Sequence, residues 1–449
     1  MASRLDAEYY QPIYLRERKR LHALPRIRLG QIAFVTDGQH GYHKVDPESQ
    51  INHVTAKCVV NNCIEIDDAD KLALETHLKN KRSALEEGDV ILTTAGTVGN
   101  AGVVTKDVLP ANIDQDVARI HIRDTSRVSP WFLSAFLNSE YGQLQTSFET
   151  TGQVQTHLSL VKVRTLEIPV LSNQKAIGQL AVEAWHEHQK SKTAYEQAEQ
   201  ALSDEIGFDK VDLRWSPGYV VRAKAAREVT RIDAEHFQPK YARLIRHLEK
   251  TGNSVKLGDI APKPHRGVQP RYVEGGDVLA VNSRYVGKQF INIENCERTD
   301  RAFYDANKRA VARKYDVIMN STGWGTIGRA NCVLHDEPTV VDNHVTIIRP
   351  TCNPIYLAVF LNSSLGQLQT NQWLSGSSGQ IEIYPADIVR YTVFLPLPGF
   401  QQKIADLVTA AYEARAKAKK LLEAAKQKVE DLIGGTGQVP IPALGTLAH

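Results

Sequence analysis

Apolar and polar positions along this chain follow the same order of patterns twice. A helical stretch, short β-rich segments bounded by turn residues, a second helical stretch and a closing strand succeed one another in each half. The elements predicted for both halves are a short helix after the Asp-Ala-Glu motif, a strand at Asp89-Val-Ile or Asp316-Val-Ile, a helix at 131–138 or 355–362, and a closing strand at Ile168-Pro169 or Leu395-Pro396.

Each half ends in a long helical pattern, at 171–206 and at 399–433. Its apolar or small residues recur close to a heptad repeat. The predicted seams consist of Ile177, Leu180, Ala184, Ala198 and Leu202 in the first helix, and of Ile404, Leu407, Ala411, Ala414, Ala418, Leu421, Ala425 and Leu432 in the second. A helix packed on its own domain would also bury such a face. The small residues favour close approach of two helices, so we predict an intramolecular coiled coil.

Longer identities show that the chain is a tandem duplication. The segment from Arg4 to Pro12 recurs from Arg231 to Pro239, and Phe136-Leu-Asn-Ser recurs at Phe360. The offset stays between 224 and 228 residues. We therefore predict six segments: a first αβ domain at 1–170, a central helix at 171–206, a linker at 207–230, a second αβ domain at 231–398, a C-terminal helix at 399–433 and a tail at 434–449.

Composition indicates a globular protein without a membrane span. The chain has 449 residues, of which 42% are hydrophobic and 23% charged, and no stretch is apolar enough to cross a bilayer. The N-terminus lacks the order of a secretion signal, which predicts a cytoplasmic protein.

Charge is uneven along the chain. The net charge is only +3, but residues 256–314 contain twelve Lys or Arg against seven Asp or Glu. Residues 28–87 contain seven against ten. If both halves bind a polyanion, the first must do so through a few well-placed groups.

The five cysteines do not form a metal-binding pattern. Cys58, Cys63, Cys296, Cys332 and Cys352 are scattered, with no Cys-x-x-Cys pair. We interpret them as buried thiols and predict no metal site.

Enzyme motifs are absent or better explained otherwise. Gly323-Trp-Gly-Thr-Ile-Gly328 has the glycine spacing of a dinucleotide loop, but a strand pattern follows it, so we predict a hairpin turn. Asp6 with Glu17-Arg-Lys19 has the residue types of a nuclease site, but the second copy has Leu244 and Arg246 there; an exposed helix face is the preferred interpretation. The chain has neither the Pro-Pro-Tyr motif of an amino-methyltransferase nor a P-loop, and we predict no catalytic residue.

These features together resemble the specificity (S) subunit of type I restriction-modification enzymes. The resemblance rests on the Asp-Ala-Glu…Gln-Pro openings, the Asp before Val-Ile, the Phe-Leu-Asn-Ser helices, the Gly-Gln pairs and the Gln-rich starts of the long helices. It covers nearly the whole chain, although the acidic first domain and the Pro/Gly-rich tail depart from it.

The resemblance implies an α+β fold and a non-catalytic role. Two tandem αβ target-recognition domains would be separated by two long helices that pair as an antiparallel coiled coil, with pseudo-twofold symmetry. The domains would read the two halves of a split double-stranded DNA target. Two methyltransferase subunits, which carry S-adenosylmethionine, would dock on the helices, and restriction translocase-nuclease subunits would join them. The chain itself would hold no cofactor.

Readout of bases requires donors and acceptors on loops that enter the major groove. The candidates in the first unit are Thr36, Gln39, His40, Tyr42, His43 and Lys44 on a loop predicted after Phe34-Val35, with Thr94, Thr97, Asn112 and Gln115 in addition. The candidates in the second unit are His265, Arg266, Gln269, Arg271, Tyr272, Asn282, Ser283, Arg284, Tyr285, Asn320, Ser321, Thr322, Trp324, Asn343 and His344. Each of them could instead be a solvated loop residue, and Trp324 could cap a core.

Three other functions stay open at this point. The chain could serve another phage-defence assembly with its own methyltransferase, it could be a fused restriction enzyme that cuts by itself, or it could be a scaffold that binds only proteins. DNA binding that depends on salt would separate the last from the others.

Overall fold

The computed structural model describes residues 10–41, 43–60, 62–67, 69–150, 156–376 and 381–435. It divides into two compact units, the first formed by Met1–Gln189 with Ala414–His449 and the second by Lys190–Glu413. Within the described ranges, none of the helices is long and apolar enough to cross a membrane.

Fifteen α-helices are present in the described residues. Those of the first half are α1 (Pro12–His22), α2 (Leu29–Ile32), α3 (Leu74–Lys79), α4 (Pro130–Leu137), α5 (Glu140–Glu149), α6 (Leu160–Thr165) and α7 (Gln174–Ile206). Those of the second half are α8 (Ala223–Val229), α9 (Pro239–Lys250), α10 (Leu257–Ile260), α11 (Arg301–Ala306), α12 (Pro354–Asn362), α13 (Ser364–Trp373), α14 (Pro385–Ile388) and α15 (Pro398–Gly434).

The strands of the first unit are β1 (Arg26–Arg28), β2 (Ala33–Asp37), β3 (Ile51–Val54), β4 (Val59–Val60), β5 (Cys63–Ile64), β6 (Lys71–Leu72), β7 (Val90–Thr93), β8 (Ala101–Val103), β9 (Ala111–Ile113), β10 (Val117–Ile122) and β11 (Glu167–Pro169). Strands β2-β10-β7-β8 form an antiparallel sheet, and β6-β3-β9 form a second sheet in which β3 and β9 are parallel. The pairs β1-β11 and β4-β5 complete the unit.

The strands of the second unit are β12 (Ser254–Lys256), β13 (His265–Arg266), β14 (Val278–Val281), β15 (Glu297–Thr299), β16 (Val311–Ala312), β17 (Val317–Asn320), β18 (Ala330–Cys332), β19 (Thr339–Val341), β20 (Val345–Ile348) and β21 (Thr392–Phe394). The sheets β13-β20-β17-β18 and β12-β21 repeat the orders β2-β10-β7-β8 and β1-β11 of the first unit. The sheet β15-β14-β19-β16 repeats β6-β3-β9 with β16 as an additional strand. The predicted α+β class is therefore confirmed, as are the hairpin after Asn320 and the helix after each Asp-Ala-Glu motif.

The repeated motifs build the scaffold of each unit. Asn138 and Asn362, from the two Phe-Leu-Asn-Ser segments, accept a hydrogen bond from the backbone N–H of Ala101 and Ala330 and donate one to the carbonyl of the same residue. Because each amide holds both backbone groups of a strand residue, it ties a helix end to the edge of the four-stranded sheet.

The Gly-Gln-Leu-Gln segments make a second shared contact. Gln143 and Gln367 donate to the carbonyl oxygens of Gly99 and Gly328, over 2.8 Å and 2.9 Å. The repeats thus preserve hydrogen bonds that hold the hairpins β7–β8 and β17–β18 on the helices, which is a structural role.

The two long helices present matching buried stripes. In α7 the residues buried at helical spacing are Ile177, Ala181, Ala184, Ser191, Tyr195, Ala198, Leu202 and Ile206, and in α15 they are Ile404, Val408, Ala411, Ala414, Ala418, Leu422, Ala425, Val429 and Ile433. This spacing follows the roughly 3.6 residues per turn of a straight α-helix. The predicted heptad positions Ile404, Ala411, Ala418 and Ala425 are buried at intervals of seven residues. The second position of the heptad was wrong at Leu180, Leu407 and Leu421, which are half-buried, because the buried residues are the next ones along the helix, Ala181, Val408 and Leu422. Leu432 is also half-buried, and Ile433 beside it is buried.

Each unit takes opposite ends of the two helices into its core. The first core contains Ile177 near the start of α7 and Ile433 at the end of α15. The second core contains Ile206 at the end of α7 and Ile404 near the start of α15. In the first unit the helices also meet through an ion pair of 2.6 Å between Lys417 Nζ and Glu187 Oε1. This order agrees with the predicted antiparallel pairing.

The segment predicted as a linker contains some regular structure. Residues 208–210 form a 3-10 turn, and α8 occupies Ala223–Val229. The compact units divide inside α7 and α15, whereas the predicted domain limits fell at the ends of these helices. Of the predicted tail, only residues up to 435 lie within the described part of the chain.

Candidate nucleic-acid interface

The predicted reading loops gather at corresponding strand ends in the two units. The backbone N–H of Thr94, just after β7, donates to the carbonyl of Asp116 over 2.8 Å. In the second unit the N–H of Ser321, just after β17, donates to the carbonyl of His344 over the same distance. Each unit therefore brings the end of a hairpin strand next to the turn that precedes β10 or β20.

In each unit, a glycine lets the segment after β2 or β13 also approach the turn that precedes β10 or β20. A Cβ atom on Gly38, after β2, would lie 1.9 Å from the carbonyl oxygen of Ile113, and one on Gly267, after β13, would lie 2.0 Å from that of Val341. Only glycine fits such an approach of two backbones. Gly38 and Gly267 therefore occupy equivalent positions in the two units.

Three candidates of the first unit are buried in the scaffold. Thr36 lies within β2 and not on a loop, and Thr94 is buried at the end of β7. Asn112 Oδ1 accepts a hydrogen bond of 2.5 Å from Nδ1 of His77, and Asn112 Nδ2 donates to Ser83 Oγ and the carbonyl of Asn80. These side chains hold the loops in place, and their polar atoms face the protein interior.

The other candidates of the first unit reach the surface to different degrees. His40, Lys44, Thr97 and Gln115 are exposed, and Gln39 and His43 are half-buried. Gln39 Oε1 accepts a hydrogen bond of 2.5 Å from Asn80. Tyr42 lies outside the described residues.

Several basic groups around the predicted loops of the first unit have acidic partners. Asp37 binds Arg82 over 3.0 Å and His40 over 3.1 Å, and Glu75 binds Lys79 over 2.6 Å and lies 4.0 Å from Lys44. These carboxylates offset the positive charge available to a phosphate. The few basic groups of this acidic half that lie near the loops are thus partly neutralised by neighbouring carboxylates.

His43 stands against a second imidazole. Its ring centroid lies 4.4 Å from that of His53. Burial lowers the pKa of both rings, that of His53 to about 4. His53 is therefore neutral near pH 7, and the pair adds no fixed positive charge to the loop.

Four candidates of the second unit are buried. Tyr285, Asn320, Ser321 and Thr322 lie beneath the loops that they connect. Asn320, with 0% of its surface exposed, donates from Nδ2 to the carbonyl oxygens of Ser283 (2.9 Å), Val286 (3.3 Å) and Thr326 (3.2 Å). It therefore joins the turn at 282–286 to the tip of the hairpin β17–β18.

The exposed candidates of the second unit are Gln269, Arg271, Tyr272, Arg284, Trp324 and Asn343, and the half-buried ones are His265, Arg266, Asn282, Ser283 and His344. Arg271 and Arg284 form no ion pair within the described residues, so both guanidinium groups are available to an anionic partner. Trp324 does not cap a core, since 79% of its surface is exposed.

Arg266 is held by residues that sequence reasoning did not select. Its guanidinium lies 3.4 Å from Glu382 Oε2, donates to the carbonyl of Ile383 over 2.9 Å and sits 4.9 Å from the ring centre of Tyr384. Because the second copy differs from the first here, the repeat gave no signal for Glu382 or Tyr384. Arg266 fastens β13 to the segment before α14.

A carboxylate closes the turn in each unit, half-buried at Asp114 and buried at Asp342, and sequence reasoning missed both. Asp114 accepts from the N–H of Asp116 over 3.0 Å, and Asp342 accepts from that of His344 over 2.9 Å. Burial raises the pKa of Asp114 to about 6 and also raises that of Asp342. Their recurrence at the repeat offset, each beside the approaching glycine, could have revealed them.

Asp114 is expected to make stability depend on pH. Because its folded pKa of about 6 exceeds the unfolded value of about 3.9, its contribution is fully present below about pH 4 and is lost as the pH rises through about 6. Asp114→Asn keeps the acceptor for the N–H of Asp116 and removes the titration. Urea unfolding at pH 4.5 and 7.5 should therefore show a smaller decrease for the variant than for the wild type. An equal decrease in both proteins would contradict the assignment.

The nuclease-like residue set is a structural ion pair. Glu17 is buried, where an exposed helix face was expected, and it binds Arg16 over 2.7 Å and Arg20 over 2.9 Å. Burial alone would raise the pKa of Glu17, but hydrogen bonds from the two arginines outweigh it and lower the pKa. Lys19 is exposed, and Asp6 lies outside the described residues.

The described residues contain no group of three or more His, Cys, Asp or Glu that could hold a metal ion. Of the five cysteines, Cys296 and Cys352 are half-buried and not buried as expected. The arrangement offers hydrogen bonding, charge and one exposed indole, which suit recognition of a ligand.

Sequence comparison gives a partial match. No protein-family model matches the chain. A segment of 123 residues is 28% identical to the type I restriction enzyme EcoBI specificity subunit of Escherichia coli. This segment covers 27% of the chain and 26% of that protein.

Two solved structures align over most of the chain. The S subunit of a type I restriction-modification system from M. genitalium is 12% identical, covers 91% of this chain and 94% of its own, and has a TM-score of 0.41. The HsdS subunit from Thermoanaerobacter tengcongensis is 15% identical, with 92% and 96% covered and a TM-score of 0.29. The match to the curated E. coli protein confirms the resemblance that the repeated motifs indicated: this chain is similar to the specificity subunits of type I restriction enzymes.

Proposed function

We propose that this chain is the specificity subunit of a type I restriction-modification assembly, in which it reads a bipartite double-stranded DNA target. The observation that carries the proposal is the pairing of one repeated scaffold with two different sets of exposed loops. The same backbone bonds hold Thr94 and Ser321 in place, whereas the nearby surface carries His40 and Gln115 in one unit and Arg284 and Trp324 in the other.

Two units with the same scaffold but different exposed loops are suited to a DNA target whose two halves differ in sequence. Hydrogen-bond donors on exposed loops can contact base edges, while arginines without acidic partners contact phosphates or guanine. The buried candidates, such as Asn112 and Asn320, support the loops that make these contacts. We assign base reading to the exposed and half-buried candidates of both units.

Catalysis belongs to partner subunits in this proposal. Two methyltransferase subunits that bind S-adenosylmethionine would dock on α7 and α15, and restriction translocase-nuclease subunits would add cleavage. The match to a specificity subunit supports this assignment. The chain would supply target choice and no reacting group.

The purified chain is expected to show neither methyl transfer nor DNA cleavage when incubated with DNA, Mg²⁺ and S-adenosylmethionine. Methylation should appear when it is coexpressed with its methyltransferase, and mapping of methylated sites should give two short specified blocks around an unspecified spacer. The control is the same methyltransferase expressed without this chain, which should leave those sites unmodified.

The outcomes separate the alternatives. Cleavage or methylation by the chain alone would show a self-contained enzyme, and a chain that binds no duplex at any salt concentration would be a protein scaffold. A single contiguous methylated motif would contradict two-unit reading.

A further inference from the structure

The hairpin β17–β18 is two residues longer than its counterpart β7–β8. Thr93 and Asn320 occupy equivalent places in the sheets, opposite Val117 and Val345. Thr93 Oγ1 donates to the carbonyl of Thr97 over 2.5 Å, whereas Asn320 Nδ2 donates to that of Thr326. The second strands of the two hairpins, β8 and β18, are held in the same way, because Gln143 and Gln367 donate to the carbonyls of Gly99 and Gly328 just before them. The additional residues therefore lie between Asn320 and Thr326.

This extension presents Trp324. The residue is flanked by Gly323 and Gly325, whose φ angles of 105° and 77° lie in the left-handed region that favours glycine. A Cβ on Gly325 would meet nothing within 4 Å. The tip of the loop is thus turned outward, and the indole has 79% of its surface exposed.

The base of the loop is firmly held although its tip is open. Asn320 binds the carbonyl of Thr326 from below, and Thr322 Oγ1 lies 2.7 Å from Nδ1 of His344. The backbone N–H of Ile327 donates to the carbonyl of Gly323 over 3.0 Å. A rigid base lowers the conformational entropy lost when the indole is immobilised against a ligand.

The surroundings of Trp324 favour a nucleobase over a protein surface as its partner. Asn320 ties the loop to the turn that carries Arg284, and Ser321 ties it to the turn that carries Asn343. Both of these side chains are exposed, one cationic and one amide. Protein docking sites have a contiguous apolar centre, whereas exposed aromatic rings among cations and amides are typical of a nucleic-acid surface.

We propose that Trp324 enters the base stack of the half-site bound by the second unit and acts as a wedge at one base step. This inference rests on the proposed function. The faces of paired bases are covered by their neighbours, so an indole can stack on one only where a step opens. The shorter hairpin of the first unit, with Thr97 at its tip, has no such group, so the two half-sites would be bound by different means.

The test uses the purified full-length chain and a pool of randomised duplexes, from which binding selects an enriched duplex. Affinity for that duplex is then measured over a range of salt for the wild type, Trp324→Ala and Trp324→Phe. Trp215→Ala is the matched control, since Trp215 is also exposed (61%) in the second unit but lies between α7 and α8. Arg284→Ala serves as the charge control.

Trp324→Ala is expected to weaken binding by about tenfold to a hundredfold, the range for loss of one base stack. The affinity of Trp324→Ala should depend on salt concentration as that of the wild type does, because the substitution removes no charge. Arg284→Ala should reduce the slope of log K against log salt by about one. Trp324→Phe should retain most of the affinity, and Trp215→Ala should bind like the wild type.

A second readout detects the opened step directly. 2-Aminopurine placed at successive positions of the enriched duplex should brighten at one step with the wild type and not with Trp324→Ala. Equal affinity of Trp324→Ala and wild type, or no brightening at any step, would overturn the wedge and leave DNA reading intact. Failure of the wild type to enrich any duplex would instead overturn the proposed function.

Discussion

Replacement of Asn320 by Asp is expected to destabilise the second unit by about 3–5 kcal/mol at pH 7, the range for leaving a charge buried without a partner. The Nδ2 atom of Asn320 donates to three backbone carbonyl oxygens in a site with no exposed surface. A carboxylate there would face those three oxygens with its own negative charge and no donor. This loss is large relative to the usual stability of a domain.

The size of the effect should depend on pH. Burial and the surrounding carbonyls would raise the folded pKa of the new carboxyl above its unfolded value. The variant should therefore lose less stability at pH 4, where a protonated carboxyl can still donate one hydrogen bond, and more as the pH rises. Urea unfolding at the two pH values measures this difference.

Asn282→Asp is the matched control. The side chain of Asn282 accepts a hydrogen bond of 2.9 Å from the N–H of Arg284, and it is only half-buried. An aspartate accepts the same bond, so a change below about 1 kcal/mol is expected. If both variants unfold at the same urea concentration, Asn320 does not hold the loops together.

Insertion of two residues into α15 after Glu413 is expected to prevent one of the two units from folding. The buried stripe of this helix serves both cores, with Ile404 and Val408 in one and Val429 and Ile433 in the other. Two residues rotate the following part of a helix by about 200°. Removal of those side chains from a core costs about 1.5–3 kcal/mol each, so a single insertion should abolish partner docking and methylation.

An insertion of seven residues is the informative comparison. It changes the phase by only about 20°, and when placed in α7 after Gln189 as well as in α15 after Glu413 it preserves both stripes. Seven residues lengthen each helix by about 10 Å, close to three base pairs at about 3.4 Å each. Under the proposed function, both specified blocks of the target should stay the same while the spacer grows by about three base pairs. An active variant with an unchanged spacer would show that the helices do not set the spacing.

The repeats made most of the secondary-structure elements predictable. Segments that recur at a constant offset, such as Phe136-Leu-Asn-Ser and Phe360-Leu-Asn-Ser, form the same contacts because the same hydrogen bonds are needed to close the same sheets. Predictions at the level of single helix positions were weaker. Leu421 and Leu432 were placed on the predicted seam, but Leu422 and Ile433 are the buried residues.

In the candidate interface, too, the sequence predicted the kind of residue better than the position of each side chain. Residue type identified donors and acceptors, yet Asn112, Asn320 and Arg284 look equally suitable in a sequence. The fold buries Asn112 and Asn320, whose side chains connect loops to each other. It leaves Arg284 exposed, with no acidic partner among the residues that the structure describes.

The sequence by itself determined that this protein consists of two copies of one αβ scaffold, because duplication and periodicity are local properties of the chain. The tertiary structure decided which polar groups remain available to a ligand. A donor is available only if no distant acceptor already binds it. The carbonyl of Ser283 accepts from Asn320, and the carboxylate of Asp37 binds Arg82. Such partners are brought together only by the closing of the sheets.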